Sequence, residues 1–219
     1  MATRKPVNVK CPQCEKESTF SVWMNIDSME DPMLKQQILD GTLFDFKCPY
    51  CEYSVALHYD VLFNMPDHGT MLHMIANPDQ ASQVPIMIEE QEKMLSGQEL
   101  QNAKLYIHRV VNNIYQLREK AMIFENDLDD RVIELMKVIY SGQFHEQRGV
   151  EPEYIFFGVN AQLEKNFEFY DAEGALLAIA PVDMNLYKSI QHSPQRKLKP
   201  IRTDRLYFVN KEWALNSVR

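Results

Sequence analysis

The chain holds all four of its cysteines in two short segments, Cys11-Pro12-Gln13-Cys14 and Cys48-Pro49-Tyr50-Cys51. Two cysteines at this spacing can turn both sulfurs toward one ion across a tight turn, and the proline presets the backbone φ of that turn. Two such pairs supply four thiolates, which is the ligand set and number of tetrahedral zinc. The sequence therefore predicts one structural Zn²⁺ held by Cys11, Cys14, Cys48 and Cys51.

Alternating apolar and polar residues flank both cysteine pairs and predict a β-hairpin around each of them. Residues 7–10 lead into the first pair and 20–24 leave it, while 43–47 and 53–57 flank the second. Two hairpins that close on one ion form a zinc ribbon. A zinc ion with four thiolates carries a net charge of about −2, and the flanking lysines Lys10, Lys16 and Lys47 are placed to offset it.

A helix is predicted between the two hairpins. Asp31 suits the N-cap, Pro32 the first helical position, and Gly41 the position just past the end. Farther along, the pattern predicts strands over 59–64, 71–75 and 104–111, a loop over 76–85 and a helix over 86–95. Apolar spacing then predicts a helical hairpin, with one helix over 114–124 and a second that begins at Asn126 or Asp127.

The polar segment 145–153 contains a glycine and a proline and predicts a linker. Strands are expected beyond it at 154–159, 167–170, 176–180 and 206–209, with a helix over 183–191 and a helical turn at 213–215. The fold class is α+β: a zinc ribbon with an inserted helix, elaborated by a helical hairpin and followed by a small β-rich region. The predicted domains are residues 1–148 and 149–219.

Charge and composition exclude several classes of protein. The chain has 23 lysines and arginines against 31 acidic residues, for a net charge of −8, so nonspecific nucleic-acid binding would need a local basic surface. Such basic residues occur near the N-terminus and at Arg196, Lys197, Lys199, Arg202 and Arg205, and we interpret them as solvated surface. No apolar run approaches the ~20 residues of a membrane span. Without a signal peptide, the expected location is the cytoplasm.

One ordered set of motifs is moderately specific. It consists of CPxC, a strand with Trp23, Asp-Pro with a helix that reads LKQQILDGTLF, then FKCPYC and a Tyr-Asp-x-Leu-Phe segment. This order resembles the bacterial CpXC-domain family over roughly residues 7–140, including the later stretch QLREKAMIFENDLDDRVIELMK. The resemblance implies a zinc ribbon and no particular activity. One departure is that Glu15 and Glu52 stand where such knuckles commonly have glycine, so a left-handed turn at these positions carries a modest energetic cost.

Three other readings of the cysteines compete with zinc. Two disulfides would suit a secreted protein, iron would accept the same thiolates, and CPYC resembles a glutaredoxin active site. In a glutaredoxin the motif opens a helix that lowers the pKa of the first thiol, whereas here it opens a predicted strand. Zinc is therefore favoured, and thiol-redox chemistry is the less favoured enzyme alternative.

Two further groups of residues are candidates for chemistry. His58, His73 and His108 lie on predicted strands, where a second metal or acid–base site is less favoured than three polar-face histidines. An acidic cluster is interpreted as helix capping and solvent-facing pairs with Lys137 nearby; it comprises Glu119, Glu125, Asp127, Asp129, Asp130 and Glu134. No catalytic residue is predicted. The function expected is a protein-interaction or self-associating module, with Trp23 or Tyr50 as contacts; nucleic-acid binding is the alternative.

Overall fold

The computed structural model describes residues 2–193 and 198–218. The chain forms two compact units, an N-terminal one that runs through Ala121 and a C-terminal one that begins at Met122. Both contain helices and strands, so the predicted mixed α and β composition is confirmed. Among the described residues, every helix is too short or too polar to cross a lipid bilayer.

Over its described residues, the N-terminal unit contains seven strands, five α-helices and one 3₁₀ helix, Thr42–Phe44. Its strands are β1 (Thr3–Lys10), β2 (Glu17–Asp27), β3 (Asp45–Lys47), β4 (Ser54–Ala56), β5 (Val61–Met65), β6 (Thr70–Met74) and β7 (Ile107–Val111). Its helices are α1 (Pro32–Asp40), α2 (Pro78–Ala81), α3 (Gln83–Lys93), α4 (Gly97–Lys104) and α5 (Ile114–Glu125), the last of which continues past the unit boundary.

Five of these strands form one mixed sheet in the order β1-β2-β5-β6-β7. The pairs β1–β2 and β5–β6 are antiparallel, while β2–β5 and β6–β7 are parallel. Burial alternates strictly along β5 and β6, where Phe63 and Leu72 are fully buried. This alternation is what a strand with one face on the core requires.

The two cysteine-bearing hairpins form as the sequence predicts. β1 pairs with β2 around the first cysteine pair, and β3 pairs with β4 around the second. Helix α1 lies between the hairpins in sequence and ends at Gly41, whose φ of 87° suits the left-handed cap. Asp31 occupies the N-cap position, but its carboxylate accepts a hydrogen bond from the Ala2 backbone N–H (3.1 Å) instead of one from the helix.

The segment 76–111 contains more helix than the sequence predicts. The expected loop over 76–85 contains α2 and the start of α3, and α4 occupies residues where the predicted strand 104–111 begins. Asn77 caps α2 by accepting from the Asp79 N–H. The pattern was misread because α2 is a single turn whose proline, at the first helical position, also looks like a loop residue.

The C-terminal unit packs helices on an antiparallel sheet. It contains α6 (Asp130–Arg148), β8 (Tyr154–Val159), β9 (Lys165–Tyr170), β10 (Leu176–Pro181), α7 (Met184–Gln191) and α8 (Lys211–Ser217). The three strands form a meander in the order β8-β9-β10, and α6 packs against α7, α8 and β8. Fourteen buried residues form the core, and Phe157, Phe167 and Phe169 supply its sheet side.

Three predictions for the C-terminal half are wrong in detail. Helix α6 begins at Asp130 instead of Asn126 or Asp127, and it continues through residues 145–148 of the predicted linker until Gly149 ends it. Residues 206–209 do not form a strand. The two compact units meet at 121/122, because α6 packs on the C-terminal sheet, and the domain boundary at 148/149 stays a prediction.

Candidate metal centre

The two cysteine pairs lie in turns with the same backbone hydrogen bonds. In the first turn, the Cys11 N–H donates to the Lys16 carbonyl (3.0 Å) and the Glu15 N–H donates to the Cys11 carbonyl (2.9 Å). In the second turn, the Cys48 N–H donates to the Tyr53 carbonyl (2.8 Å) and the Glu52 N–H to the Cys48 carbonyl (3.0 Å). The chain thus builds the same knuckle twice.

Glutamate occupies the left-handed position of both knuckles. Glu15 and Glu52 each have a φ of 60°, so both knuckles keep the left-handed turn without the glycine that commonly forms it. Each glutamate lies near the lysine that precedes its knuckle, with Nζ–Oε2 distances of 3.7 Å for both Lys10–Glu15 and Lys47–Glu52. Two of the three lysines predicted to offset the charge of the sulfurs therefore lie near glutamates.

The four sulfurs lie close enough together to share one metal ion. The Cys11 and Cys51 Sγ atoms are 3.6 Å apart, those of Cys14 and Cys48 are 3.7 Å apart, and all four lie within 4.8 Å of one another. A tetrahedron with metal–sulfur bonds of about 2.3 Å has sulfur–sulfur edges of roughly 3.8 Å. A disulfide bond has a sulfur–sulfur distance of about 2.05 Å, and all four cysteines are free of disulfides. The arrangement could hold one metal ion.

The thiols of this cluster do not ionise independently. Burial acts to raise the pKa of Cys48, but hydrogen bonds from the Tyr50 and Cys51 backbone and from the Cys11 and Cys51 thiols lower this pKa to about 6. The Tyr53 backbone favours the Cys51 thiolate, yet burial and the neighbouring thiols raise the pKa of Cys51 to about 12. Charging one sulfur thus opposes charging another, so four thiolates require a cation among them.

Little hydrophobic core supports this cluster. Of the residues that the structure describes, Cys11, Phe46 and Cys48 are buried in it, with Val9, Phe20, Val55 and Leu57 among the partly buried residues around them. The rings of Phe20 and Phe46 meet edge to face at 5.9 Å. The hairpins are therefore closed at one end by sulfurs and at the other by a few aromatic and aliphatic side chains.

The sequence pattern of the CpXC protein family matches residues 9–137, which is more than half of the chain and includes both knuckles. The chain belongs to the CpXC family. This confirms the resemblance inferred from the paired CPxC motifs and the helix between them. No curated protein and no solved structure matches the chain. The CpXC match ends inside α6, so the strands of the C-terminal sheet lie outside it.

Two of the three candidate histidines meet, and the third does not. His73 on β6 and His108 on β7 approach to 3.1 Å between Nε2 and Nδ1. Their ring centroids are 5.3 Å apart, so the two nitrogens point at each other, as in a hydrogen bond, and do not converge on a shared ion. Burial, reinforced by His108, lowers the pKa of His73 to about 4. His58 is exposed between β4 and β5.

The acidic cluster does not form one site. Asp129 caps α6 by accepting from the Arg131 N–H, which confirms the capping interpretation. Asp130 and Glu134, however, are buried and do not face water as predicted, and Glu134 pairs with Lys137 at 3.0 Å. Glu119 is buried on α5, whereas Asp127 is exposed with a φ of 54°.

Sequence reasoning missed a buried cation in the C-terminal unit. The Arg131 side chain, 2% exposed, pairs with Asp129 and with Asp204 (2.6 Å). Despite the opposing effect of burial, these two carboxylates raise the pKa of Arg131. The partner Asp204 is 73 residues away in sequence, and helical periodicity carries no signal for a contact at that separation.

The two aromatic residues proposed as partner contacts differ in exposure. Tyr50 at the tip of the second knuckle is 57% exposed, and the Lys16 ammonium lies 4.9 Å from its ring centroid. Trp23 is partly buried on β2 under the Arg4 guanidinium, 5.4 Å from its ring centroid. Tyr50 is thus the more accessible of the two.

Proposed function

We propose that this CpXC protein binds one structural Zn²⁺ through Cys11, Cys14, Cys48 and Cys51, in the manner of a zinc ribbon, and serves as a protein-interaction module. The observation that carries the proposal is the spacing of 3.6–3.7 Å between sulfurs of opposite knuckles, which matches a zinc–tetrathiolate. Four thiolates fill every tetrahedral position, which leaves no site for a reacting water.

Two observations weigh against thiol-redox chemistry as the function. CPYC leads into strand β4 instead of a helix, so no helix N-terminus is available to activate the first thiol. Cys48, the first cysteine of that motif, is fully buried among the other sulfurs. A redox role for CPYC would also leave the first knuckle, Cys11-Pro12-Gln13-Cys14, unexplained. Four free thiols suit a reducing compartment, so the cytoplasm is part of the proposal.

The knuckle surface favours a protein partner over nucleic acid. The lysines beside the cysteines, Lys10 and Lys47, lie near Glu15 and Glu52, and this lowers the positive field that a phosphate backbone needs. Tyr50 and Tyr53 are exposed in the second knuckle at 57% and 39%. Exposed tyrosines on a rigid turn are typical anchors of protein interfaces.

Metal content tests the zinc site. Protein purified without added metal should contain about one zinc per chain by elemental mass spectrometry, with thiols that react only after chelation. Cys48→Ser should lose the metal, whereas Glu52→Gln, which changes the neighbouring residue and keeps four thiols, should retain it. Iron in place of zinc would replace the metal assignment. No metal together with one rapidly reacting thiol would overturn the proposal in favour of redox chemistry.

A comparison of two tyrosine variants tests the interaction role. Proteins that co-purify with the wild type should be lost with Tyr50→Ala and after zinc removal. They should be retained with Tyr115→Ala, which truncates an equally exposed tyrosine on α5 (63%). Sedimentation of the purified protein would show whether a second copy is the partner. A binding partner that is a nucleic acid, with an affinity that falls steeply with salt, would support the alternative function.

A further inference from the structure

The face of the β8–β10 sheet that points away from the C-terminal core carries an ordered set of aromatic residues. Register places Tyr154 opposite Tyr170, Phe156 opposite Glu168 and Gly158 opposite Asn166; these six residues define the outer face. None of them belongs to the core, which is formed on the other side by Phe157, Phe167 and Phe169. Side chains alternate along a strand, so the six share one surface.

A single carboxylate lies in the middle of this outer face. Phe156 flanks Glu168 on one side, and on the other side, on β10, lies Ile179, which is 57% exposed. The rings of Tyr154 and Phe156 stack at 6.1 Å with an interplanar angle of 11°, and those of Phe156 and Tyr170 lie 6.0 Å apart. Tyr154 is itself 47% exposed. The charge of Glu168 is thus framed by apolar and aromatic groups.

The two oxygens of Glu168 have different surroundings. Oε2 accepts a hydrogen bond from the Tyr170 hydroxyl at 2.7 Å. Oε1 lies over Gly158, and a Cβ at that position would be only 3.2 Å away. Within residues 2–193 and 198–218, no lysine, arginine or histidine forms an ion pair with Glu168. A carboxylate that is partly removed from water and has no cation partner is costly to keep.

This combination of groups is complementary to a guanidinium. An aromatic ring presents a negative face that attracts a cation, and arginine can stack on such a ring while its fork binds a carboxylate with two hydrogen bonds. Lysine offers a point charge without the stacking plane. A phosphate would be repelled by Glu168, and a sheet face offers a broad surface of the kind that suits a peptide better than a small ligand.

We propose that the outer face of the C-terminal sheet docks a protein partner through an arginine that pairs with Glu168 and stacks on the aromatic rings of Tyr154, Phe156 and Tyr170. This inference rests on the proposed interaction role, because both require a protein partner. It does not depend on the metal centre, since every residue of the outer face lies in the C-terminal unit. It assigns the partner's chemistry, which is an arginine on an accessible segment.

The test uses four short peptides of one design, acetyl-Gly-Ser-Xaa-Ser-Gly-amide with Xaa as arginine, lysine, glutamine or glutamate. Each peptide is titrated into the full-length zinc-bound protein with ¹⁵N labelling and followed by NMR. The arginine peptide should shift amides of residues 154–158 and 166–170. The lysine peptide should bind more weakly, and the glutamine and glutamate peptides should leave these amides unchanged.

Matched variants of the protein test whether Glu168 binds the arginine peptide. Glu168→Gln removes the charge, keeps an acceptor for the Tyr170 hydroxyl, and should weaken arginine-peptide binding roughly tenfold. The control Glu173→Gln removes the same charge from the exposed turn after β9 and should change nothing. Gly158→Ala offers a second route, because its Cβ, 3.2 Å from Oε1, would push the Glu168 carboxylate by a few tenths of an ångström while preserving the net charge. It should weaken binding several-fold in a protein with an unchanged melting temperature.

Several outcomes would overturn the proposal. They are equal binding of the arginine and glutamine peptides, equal loss with Glu168→Gln and Glu173→Gln, or shifts located only outside β8 and β9. Titration with oligouridylate tests whether nucleobases stack on the same rings. If oligouridylate shifts the amides of the outer face and the arginine peptide does not, the proposal is also overturned. The metal analysis and the Tyr50 comparison are separate measurements, so failure of the peptide test is distinguishable from failure of the proposed function.

Discussion

The cysteine hairpins of the N-terminal unit and the helix-on-sheet core of the C-terminal unit are held together by different forces. Among the described residues, the core cluster around the four sulfurs contains three buried residues, two of which are cysteines, while β2 also carries the buried Val22 and Ile26 into the five-stranded sheet. The C-terminal core buries fourteen, with three phenylalanines from its sheet. Because so small an apolar cluster cannot offset the conformational entropy of the short, separate β3–β4 hairpin, we expect this hairpin to depend on metal binding, whereas the C-terminal unit depends on hydrophobic burial.

Metal removal should have the largest effect, because it should unfold the metal-binding hairpin and leave the C-terminal unit folded. Structural zinc contributes apparent binding free energies of about 10 kcal/mol or more in small domains. Chelation, or Cys48→Ser, should therefore abolish amide protection in β3 and β4, while β8 and β9 keep theirs. Hydrogen exchange read by mass spectrometry measures both regions in one sample. Protection of β3 and β4 that survives without metal would contradict the dependence.

The reverse experiment targets the C-terminal core. Phe167 is fully buried between the sheet and α6, and Phe167→Ala should cost about 3–5 kcal/mol through lost burial and the cavity left behind. Metal content should stay at the wild-type level. Phe208→Ala is the control, because Phe208 is 37% exposed and its loss should cost far less. Urea unfolding monitored by circular dichroism gives both values, and equal costs would refute the assignment of the core.

Acid should weaken the N-terminal unit through His73. Burial and the neighbouring His108 hold the pKa of His73 near 4, below the value of about 6.5 in an unfolded chain. Between these pH values the unfolded chain binds a proton that the folded one does not, so stability falls as pH falls, by up to about 3 kcal/mol. The loss levels off below about pH 4.

The His73→Gln variant isolates this effect from the acid sensitivity of the metal centre. Denaturant unfolding of wild type and variant at pH 7, 6 and 5 should show a smaller pH dependence in the variant. His58→Gln changes an exposed histidine and should leave the wild-type dependence in place. Identical pH dependences for all three proteins would show that His73 is not held neutral by the fold.

The smallest expected effect comes from the left-handed backbone of the two knuckles. Glu15 and Glu52 hold a backbone conformation that favours glycine, so Glu15→Gly should stabilise the protein by about 0.5–1 kcal/mol after loss of the exposed Lys10 pair. Glu17→Gly is the matched change on β2, where glycine weakens a strand, and its effect should have the opposite sign. Thermal melts distinguish the two, and a destabilised Glu15→Gly would mean that the lysine pair outweighs the strain.

Local patterns predicted those elements whose signals lie in neighbouring residues. The hairpins, α1 with its Pro32 and Gly41, α5, and strands β8 to β10 are set by alternation, helical spacing and turn residues close in sequence. Local patterns misplaced α2, α4 and the start of α6, because a one-turn helix and a capped polar turn look like loops. The buried state of Asp130 and Glu134 was missed for a related reason, since charged residues on a helix are ordinarily read as solvated.

The sequence by itself determined that four cysteines form a single cluster and that the chain belongs to the CpXC family, because CPxC spacing and turn chemistry are local properties. Only the tertiary structure decided which histidines meet, how Arg131 is neutralised by Asp204, and which strand residues share the outer face with Glu168. Those contacts join residues that are far apart in the chain or depend on strand register. Both are fixed by the packing of whole elements, which no short stretch of sequence encodes.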